Sequence, residues 1–195
     1  MTTAFVICVI VLISLYLFKI YRKLIFLLTE YKNAFAAIER ELKCRYDLIP
    51  SLIELAKSYL SQESQTLQTV VKSRNSAMAH LKKAQSNPEN ITSMAALNQA
   101  EDSLSAAMGG FYLVIEDYPE LKANKTMIKL YEELMTAESS ISLRKKTYND
   151  LVQTYNAYRE LFPNALVANN TGHSEDMIFL EFSDSQSIKE ALKIS

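Results

Sequence analysis

The stretch that decides the fold is uncharged and apolar, AFVICVIVLISLYLF at residues 4–18. No charged side chain occurs in residues 1–18. At about 1.5 Å per residue, a helix of this length nearly spans a hydrocarbon core of about 30 Å. The first charged residues after it are basic: Lys19, Arg22 and Lys23. We expect a transmembrane helix over residues 1–23, with these three side chains reaching the membrane interface as its flank.

The residues around this stretch also predict its processing and orientation. A cleaved signal peptide has a basic segment before the apolar run and small residues after it. Here the preceding residues are uncharged and the following ones are bulky and basic. Under the positive-inside rule, the basic side lies in the cytoplasm. We therefore expect an uncleaved, single-pass anchor with a short external N-terminus and a cytoplasmic body.

Behind the anchor, apolar residues recur at intervals of three and four, the spacing of one helix face. The first series continues directly from the anchor: Leu24, Leu28, Tyr31, Phe35, Ile38 and Leu42. The second is Ile53, Ala56, Leu60, Leu67, Val71, Met78 and Leu81, and the third is Met94, Leu97, Leu104, Met108, Phe111 and Ile115. The fourth falls every seven residues: Met127, Leu134, Ile141, Tyr148, Tyr155 and Phe162. Such stripes predict an all-α fold, an antiparallel up-and-down four-helix bundle over residues 24–168 that is continuous with the anchor.

Proline residues indicate where these helices end. Pro50 cannot donate to a helical hydrogen bond, so we expect a tight hairpin there, with residues 45–47 in the turn. Pro88 is expected to open the third helix, Pro119 to lie in the turn after it, and Pro163 to end the fourth. Only 3 Gly and 4 Pro occur in 195 residues, which favours long helices.

A tail of residues 169–195 follows the bundle. Its MIFLEF run, residues 177–182, alternates as a β-strand does. Because no partner strand is visible, we expect an extended segment that packs against the bundle or adds to another subunit. A short helix is expected over residues 185–193.

The sequence contains no pattern typical of a nucleotide-binding or metal-binding site. The glycines, Gly109, Gly110 and Gly172, cannot form a nucleotide-binding loop. Neither His80 nor His173 has the neighbours of a metal site. We therefore expect no enzyme activity, metal, cofactor or small-molecule substrate.

Charge and cysteine content narrow the classes further. A net charge of -1 gives no field that would attract nucleic acid. Cys8 lies in the apolar stretch and Cys44 in a charged helical one, so we expect two unpaired thiols in a reducing compartment. No histidine adjoins Cys44 to activate it as a nucleophile.

Two stretches carry more than an apolar period: ELKCRYDLIPSLIELAKSYLSQES at residues 41–64 and IEDYPELKANKTMIKLYEELMTAESSISLRKKTYNDLVQTYNAYRELFPNALVA at residues 115–168. Both closely resemble the LemA family. The family's R-Y-D-L-I-P-N-L-V hairpin is matched by residues 45–53 with Ser51 and Ile53 as departures, and its Y-P-x-L-K-A-N turn by residues 118–124. The family usually has a G-F pair after the last helix, where this chain has Gly172 and His173.

The resemblance implies a bacterial inner-membrane protein with a short external N-terminus and a cytoplasmic helical bundle. It supplies no catalytic residues, because the family has no established enzymatic activity. Members often accompany a membrane metalloprotease of the HtpX kind, and one branch serves magnetosome membranes. The resemblance thus suggests an HtpX-like protease as a partner. The expected anchor adds membrane lipid, and a self-associating scaffold would add further copies of the chain.

The two turn motifs are expected at the same end of the bundle, distal to the membrane. This candidate docking end comprises Arg45, Tyr46, Asp47, Tyr118, Pro119, Lys122 and Asn124. Its residues either cap the helices mutually or present a docking surface. Two functions remain open: a membrane-anchored scaffold or adaptor, and a membrane-organising or membrane-remodelling protein that assembles into large homo-oligomers.

Overall fold

The computed structural model describes residues 1–60 and 62–183, and this part of the chain is all-helical. Its helices are α1 (Thr2–Lys57), α2 (Ser64–Ser86), α3 (Ile91–Glu116), α4 (Pro119–Lys122), α5 (Lys125–Glu160) and α6 (Asn164–Asn170). No strand occurs within the described ranges. The all-α prediction is therefore confirmed, and the helix expected over residues 185–193 lies outside the described residues.

Helix α1 begins in the apolar stretch and is continuous as far as Lys57. Every residue from 1 to 19 is exposed, and Ile20 is the first buried side chain. Within the described residues, α1 is the one helix long and apolar enough to cross a membrane. The predicted helical continuity between the apolar stretch and the residues that follow it is thus confirmed.

The predicted hairpin at residues 45–47 is wrong, because α1 passes through Pro50 without a break. Pro50 itself is exposed. Its missing N–H would have bonded the carbonyl of Tyr46, and that carbonyl instead accepts a hydrogen bond of 2.9 Å from Arg74 Nε on α2. The first helix ends at Lys57 instead, and the second begins at Ser64.

Asparagine side chains cap the first turns of α3 and α5. Asn90 Oδ1 accepts from the Ser93 amide at 2.8 Å and caps α3, so this helix begins three residues after the expected Pro88. Asn124 Oδ1 accepts from the amides of Thr126 and Met127, at 2.9 and 3.2 Å, at the start of α5. Pro119 is the first residue of α4, as the loss of its N–H allows.

The chain divides into two compact units. Unit 1 comprises Met1–Ala34 and Thr147–Phe179; unit 2 comprises Phe35–Lys146 and the described residues from Leu180 onward. The fully buried large side chains of unit 1 are Leu24, Tyr31, Tyr148 and Tyr155, and those of unit 2 include Phe35, Ile38, Leu42, Tyr46, Ile49, Leu52, Leu60 and Phe111. Tyr148 and Tyr155, which the sequence places in the fourth apolar series, are both fully buried.

Three positions of the predicted stripes are exposed, and Leu28 on α1 is only half-buried. On α2, Val71 and Met78 are exposed, and the residues before each of them, Val70 and Ala77, are buried instead. On α5, the seven-residue series is buried from Met127 to Tyr155. Phe162 follows the end of α5 and is 83 % exposed.

The MIFLEF run is extended and lies against helices of the same chain. In unit 1 the backbone of Met177 makes both its hydrogen bonds with the Asn156 side chain, at 2.9 and 3.0 Å. In unit 2 the Glu181 amide donates to Asn98 Oδ1 at 3.2 Å. Met177, Leu180 and Phe182 are buried. The extended segment therefore packs within its own chain, and α6, which the sequence analysis did not predict, precedes it.

Candidate functional site

A buried charged cluster joins three helices of unit 2. Arg45 on α1 lies between two carboxylates: its Nη2 donates to Glu101 on α3, and its Nη1 donates to Glu138 Oε1 on α5 at 3.0 Å. The hydroxyl of Tyr46 donates to the other oxygen of Glu101. The exposed fractions of the side chains are 6 % for Arg45, 0 % for Glu101 and 14 % for Glu138.

The protonation states in this cluster follow from burial and charge. Burial opposes the charged guanidinium, but the carboxylates of Glu101 and Glu138 outweigh it and hold the pKa of Arg45 above its ordinary value. Burial and the Glu101 carboxylate raise the pKa of Tyr46. At neutral pH the cluster therefore contains a guanidinium cation and an uncharged phenol, both donating to Glu101.

The positions of these residues follow from the helical repeat. On α3, Glu101 lies between the buried Leu97 and Leu104, at intervals of four and three. On α1, Arg45 stands three residues after Leu42 and occupies the next position of the same stripe. The sequence analysis missed Glu101 and Glu138. A signal was available, because residues of opposite charge occupy core positions on different helices.

The space beside the cluster is small. A cavity of about 10 Å³ is lined by Arg45, Ser105, Tyr112 and Glu138 together with apolar side chains. This volume is about that of one water molecule, so no organic substrate fits. The buried Nε of Arg45 has no hydrogen-bond partner among the described residues. The hydrogen bonds and charges of the cluster are those of a polar junction between helices.

The residues of the candidate docking end do not share one turn or one surface in the structure. Arg45 and Tyr46 are buried within α1, so the turn and surface predicted for them are wrong. Asp47 is exposed, and its Oδ1 lies 3.7 Å from Nη2 of Arg74.

The other predicted residues meet a different turn. Asn124 Nδ2 donates to the hydroxyl of Tyr59, in the connection between α1 and α2, at 3.2 Å. Pro119 is exposed, and Tyr118 and Lys122 are half-buried. The fully buried Leu60 and Leu121 belong to these same two connections. The predicted meeting of residues 45–47 with residues 118–124 is therefore wrong, because the second motif contacts the connection between α1 and α2 instead.

Two open grooves flank α1 in unit 2. The first, of about 750 Å³, lies along α2; it is lined by Ile53, Lys57, Leu60, Ser64, Leu67, Gln68, Val71, Lys72 and Asn75. The second, of about 500 Å³, lies along α5; it is lined by Glu41, Cys44, Leu48, Lys129, Glu132, Glu133, Thr136, Ala137 and Ser140. The charged lining of the first is basic, and that of the second is mainly acidic. We call them the basic groove and the acidic groove.

The predicted anchor flank is solvent-exposed in unit 1. Lys19, Arg22 and Lys23 are all exposed, and Lys23 Nζ lies 4.9 Å from the centre of the Phe26 ring. Among the described residues, no group of three or more His, Cys, Asp or Glu side chains is arranged to hold a metal ion. Both Cys8 and Cys44 are free and exposed.

The described residues thus define an all-helical protein. Its helix α1 is apolar and long enough at its start to cross a membrane, and a buried charged cluster joins α1 to α3 and α5. The LemA family model matches residues 34–195, and the chain belongs to the LemA family. The match covers the cluster, both grooves and the two connections that meet at Asn124. None of the curated proteins matches the chain.

Proposed function

We propose that this protein is a membrane-anchored, non-enzymatic scaffold or adaptor that acts through protein–protein contacts. The observation that carries the proposal is the apolar start of α1: residues 1–19 are exposed throughout, and packing begins at Ile20. So long an exposed apolar helix is unfavourable in water and suits a hydrocarbon core. Lys19, Arg22 and Lys23 favour a bacterial inner-membrane location, with the N-terminus outside and the body in the cytoplasm.

In unit 2, we propose an antiparallel four-helix bundle made of α1, α2, α3 and α5. The short connections between successive helices support this topology, because they leave neighbouring helices little choice of direction. The Asn124 to Tyr59 hydrogen bond supports it as well, since it joins the first and third connections. The buried cluster would fix which helix faces are inward.

The surface is where such a bundle would act. The cavity at the cluster is about 10 Å³, whereas the two grooves are open and differ in charge. An apolar groove edged by Lys57 and Lys72 suits an acidic amphipathic segment, and the acidic groove suits a basic one. Partners of this kind include other copies of the chain and membrane proteins such as an HtpX-like protease.

Amine-reactive crosslinking of the full chain in native membranes tests the scaffold. We expect adducts that contain a second copy or another membrane protein. Lys57→Glu together with Lys72→Glu should reduce them, because the basic groove changes sign. Lys82→Glu with Lys83→Glu is the matched control, an equal charge change at exposed positions of α2. Monomers alone in the unaltered protein would argue against the scaffold.

A second candidate is a membrane-organising protein that assembles into large homo-oligomers. It is favoured by the presence of grooves of opposite charge on one unit, since unlike surfaces can join head to tail and generate rings or filaments. Electron microscopy of detergent-extracted protein should then show rings, filaments or cages. If only small particles were seen at every protein concentration, the membrane-organising function would be rejected and the adaptor function would remain.

A further inference from the structure

The turn between α5 and α6 presents three large apolar side chains to the outside of unit 1. Their exposed fractions are 60 % for Leu161, 83 % for Phe162 and 57 % for Leu166. No Asp, Glu, Lys or Arg occurs in residues 161–174. We call these three side chains the apolar patch. Exposed apolar side chains grouped so closely along the chain are typical of a surface that contacts something other than water.

The backbone of this turn is well bonded. The buried Asn164 donates from Nδ2 to the carbonyl of Tyr158 at 2.9 Å, and the Ala165 amide donates to the carbonyl of Leu161 at 2.9 Å. The Leu166 amide donates to the carbonyl of Pro163 at 3.1 Å. The apolar side chains are therefore held outward by an ordered turn.

Contacts within unit 1 place the chain that follows α5 beside residues 1–23 of α1, the stretch proposed to span the membrane. The ring of His173 lies edge-on to the ring of Tyr21, with 6.4 Å between their centres. Nδ1 of His173 also lies 3.0 Å from the hydroxyl of Tyr155, to which it is hydrogen-bonded. The turn at residues 161–163 lies between Tyr155 and His173 along the chain, so it is close to the proposed anchor.

We propose that Leu161, Phe162 and Leu166 enter the lipid bilayer, in the leaflet on the side of the anchor's basic flank. The occupant is lipid because the patch adjoins the stretch proposed to span the membrane, and because an uncharged segment with outward apolar side chains suits the acyl-chain boundary. The inference rests on the proposed anchor. Unit 1 would then have a second attachment to the bilayer, separated along the sequence from the first.

Single-tryptophan fluorescence tests this directly, because the chain contains no Trp. Phe162→Trp replaces an exposed ring, and the full chain is reconstituted in vesicles of phosphatidylcholine and phosphatidylglycerol. We expect emission at shorter wavelength than in water, with loss of intensity when the acyl chains are brominated. Leu166→Trp should give the same result from α6.

Two further single-tryptophan variants make the outcomes distinct. Asp150→Trp, at an exposed position of α5 in unit 1, should emit as in water and resist quenching. Leu12→Trp, within the apolar stretch, should be quenched if the anchor spans the bilayer. If brominated lipid quenched the fluorescence of Trp at residue 12 but not at residue 162 or 166, the proposed lipid contact would be rejected. The proposed membrane anchor would still be supported.

The remaining outcomes also decide the matter. Absence of quenching at all three apolar positions would overturn the anchor and the inference together. Short-wavelength emission at residue 162 that brominated lipid does not quench would place the patch against protein, as in contact with a second copy, and would reject lipid as the occupant.

Discussion

Arg45 shows what a buried charge requires. Its guanidinium is held by Glu101 and Glu138, and removing it would leave the fully buried Glu101 carboxylate without a cation. Breaking a buried pair from one side costs about 3–5 kcal/mol. We therefore expect Arg45→Met to lower the free energy of unfolding by about this amount, measured by denaturant titration with circular dichroism in detergent.

The matched control for Arg45 is Arg144, a more exposed arginine that also joins α1 and α5. Arg144 Nε on α5 donates to Glu41 Oε1 on α1 at 2.9 Å, but the side chains are 43 % and 24 % exposed. Because exposed pairs are worth about 0–1 kcal/mol, Arg144→Ala should have a small effect. Similar losses for the two variants would contradict the assigned importance of burial.

Buried phenols make stability depend on alkaline pH. Burial is the main cause that raises the pKa of Tyr46, with Glu101 adding to it, and burial with the Tyr31 hydroxyl raises the pKa of Tyr148. The ordinary value, which applies to the unfolded chain, is about 10. Because the folded values are higher, this stabilisation is complete below about pH 10 and is lost as the pH rises further.

We therefore expect unfolding above about pH 10, with part of the tyrosinate absorbance appearing together with the loss of helical circular dichroism. Tyr46→Phe removes one of these ionisations and should weaken the pH dependence at alkaline pH. If all tyrosinate absorbance appeared while the helices stayed intact, the raised pKa values would be wrong.

At the scale of the helix, Pro50 and Arg74 act as a pair. Pro50 leaves the Tyr46 carbonyl without a helical donor, and Arg74 supplies one from α2. Loss of a partner to a buried polar group costs about 1–3 kcal/mol, so Arg74→Met should destabilise by that amount. Pro50→Ala restores a backbone N–H within reach of the same carbonyl, so the double variant should be less destabilised than Arg74→Met alone.

Thermal unfolding of the two single variants and the double variant measures this coupling. Lys82→Met, another basic residue on α2, is the control and should change little. Additive effects of Pro50→Ala and Arg74→Met would mean that the arginine does not compensate for the proline.

The end of α6 depends on a glycine. Gly172 has a φ of 82°, and the following His173 amide donates to the carbonyl of Ala168 at 3.0 Å, which is the pattern of a Schellman cap. Gly172→Ala should destabilise by about 1–2 kcal/mol through the left-handed backbone. Gly109→Ala in α3 should instead stabilise by about 0.5–1 kcal/mol. In both cases the described chain has nothing within 4 Å of the added Cβ, and thermal unfolding compares them.

For the whole molecule, periodicity was enough to predict the helical class, the apolar N-terminal helix and most of the core. The predictions from sequence were wrong or incomplete where a side chain distant along the chain compensates for a locally unfavourable residue. The stripe continues across Pro50 through Ile49, Leu52 and Ala56, yet the proline rule outweighed it because the compensation by Arg74 is visible only in three dimensions. Glu101 was passed over for a similar reason: a carboxylate at a core position makes sense only once its arginine is known.

The two native cysteines allow a test of the proposed topology without added labels. Cys8 lies in the apolar stretch and Cys44 is exposed on α1 in unit 2. In spheroplasts, a membrane-impermeant maleimide should label neither thiol, because lipid shields Cys8 and Cys44 faces the cytoplasm. In inverted membrane vesicles it should label Cys44 alone. Cys44→Ser should abolish that signal and Cys8→Ser should preserve it.

Each thiol reports a different part of the topology, so the outcomes separate. Labelling of Cys44 in spheroplasts would place the helical body outside the cell and overturn the orientation inferred from Lys19, Arg22 and Lys23. Labelling of Cys8 in intact membranes would mean that the apolar stretch is in contact with water and does not span the bilayer. Denaturation in detergent must expose both thiols, which makes the absence of labelling in membranes interpretable as shielding. The basic flank thus predicts the side on which Cys44 lies, and the apolar stretch independently predicts that Cys8 is unreactive.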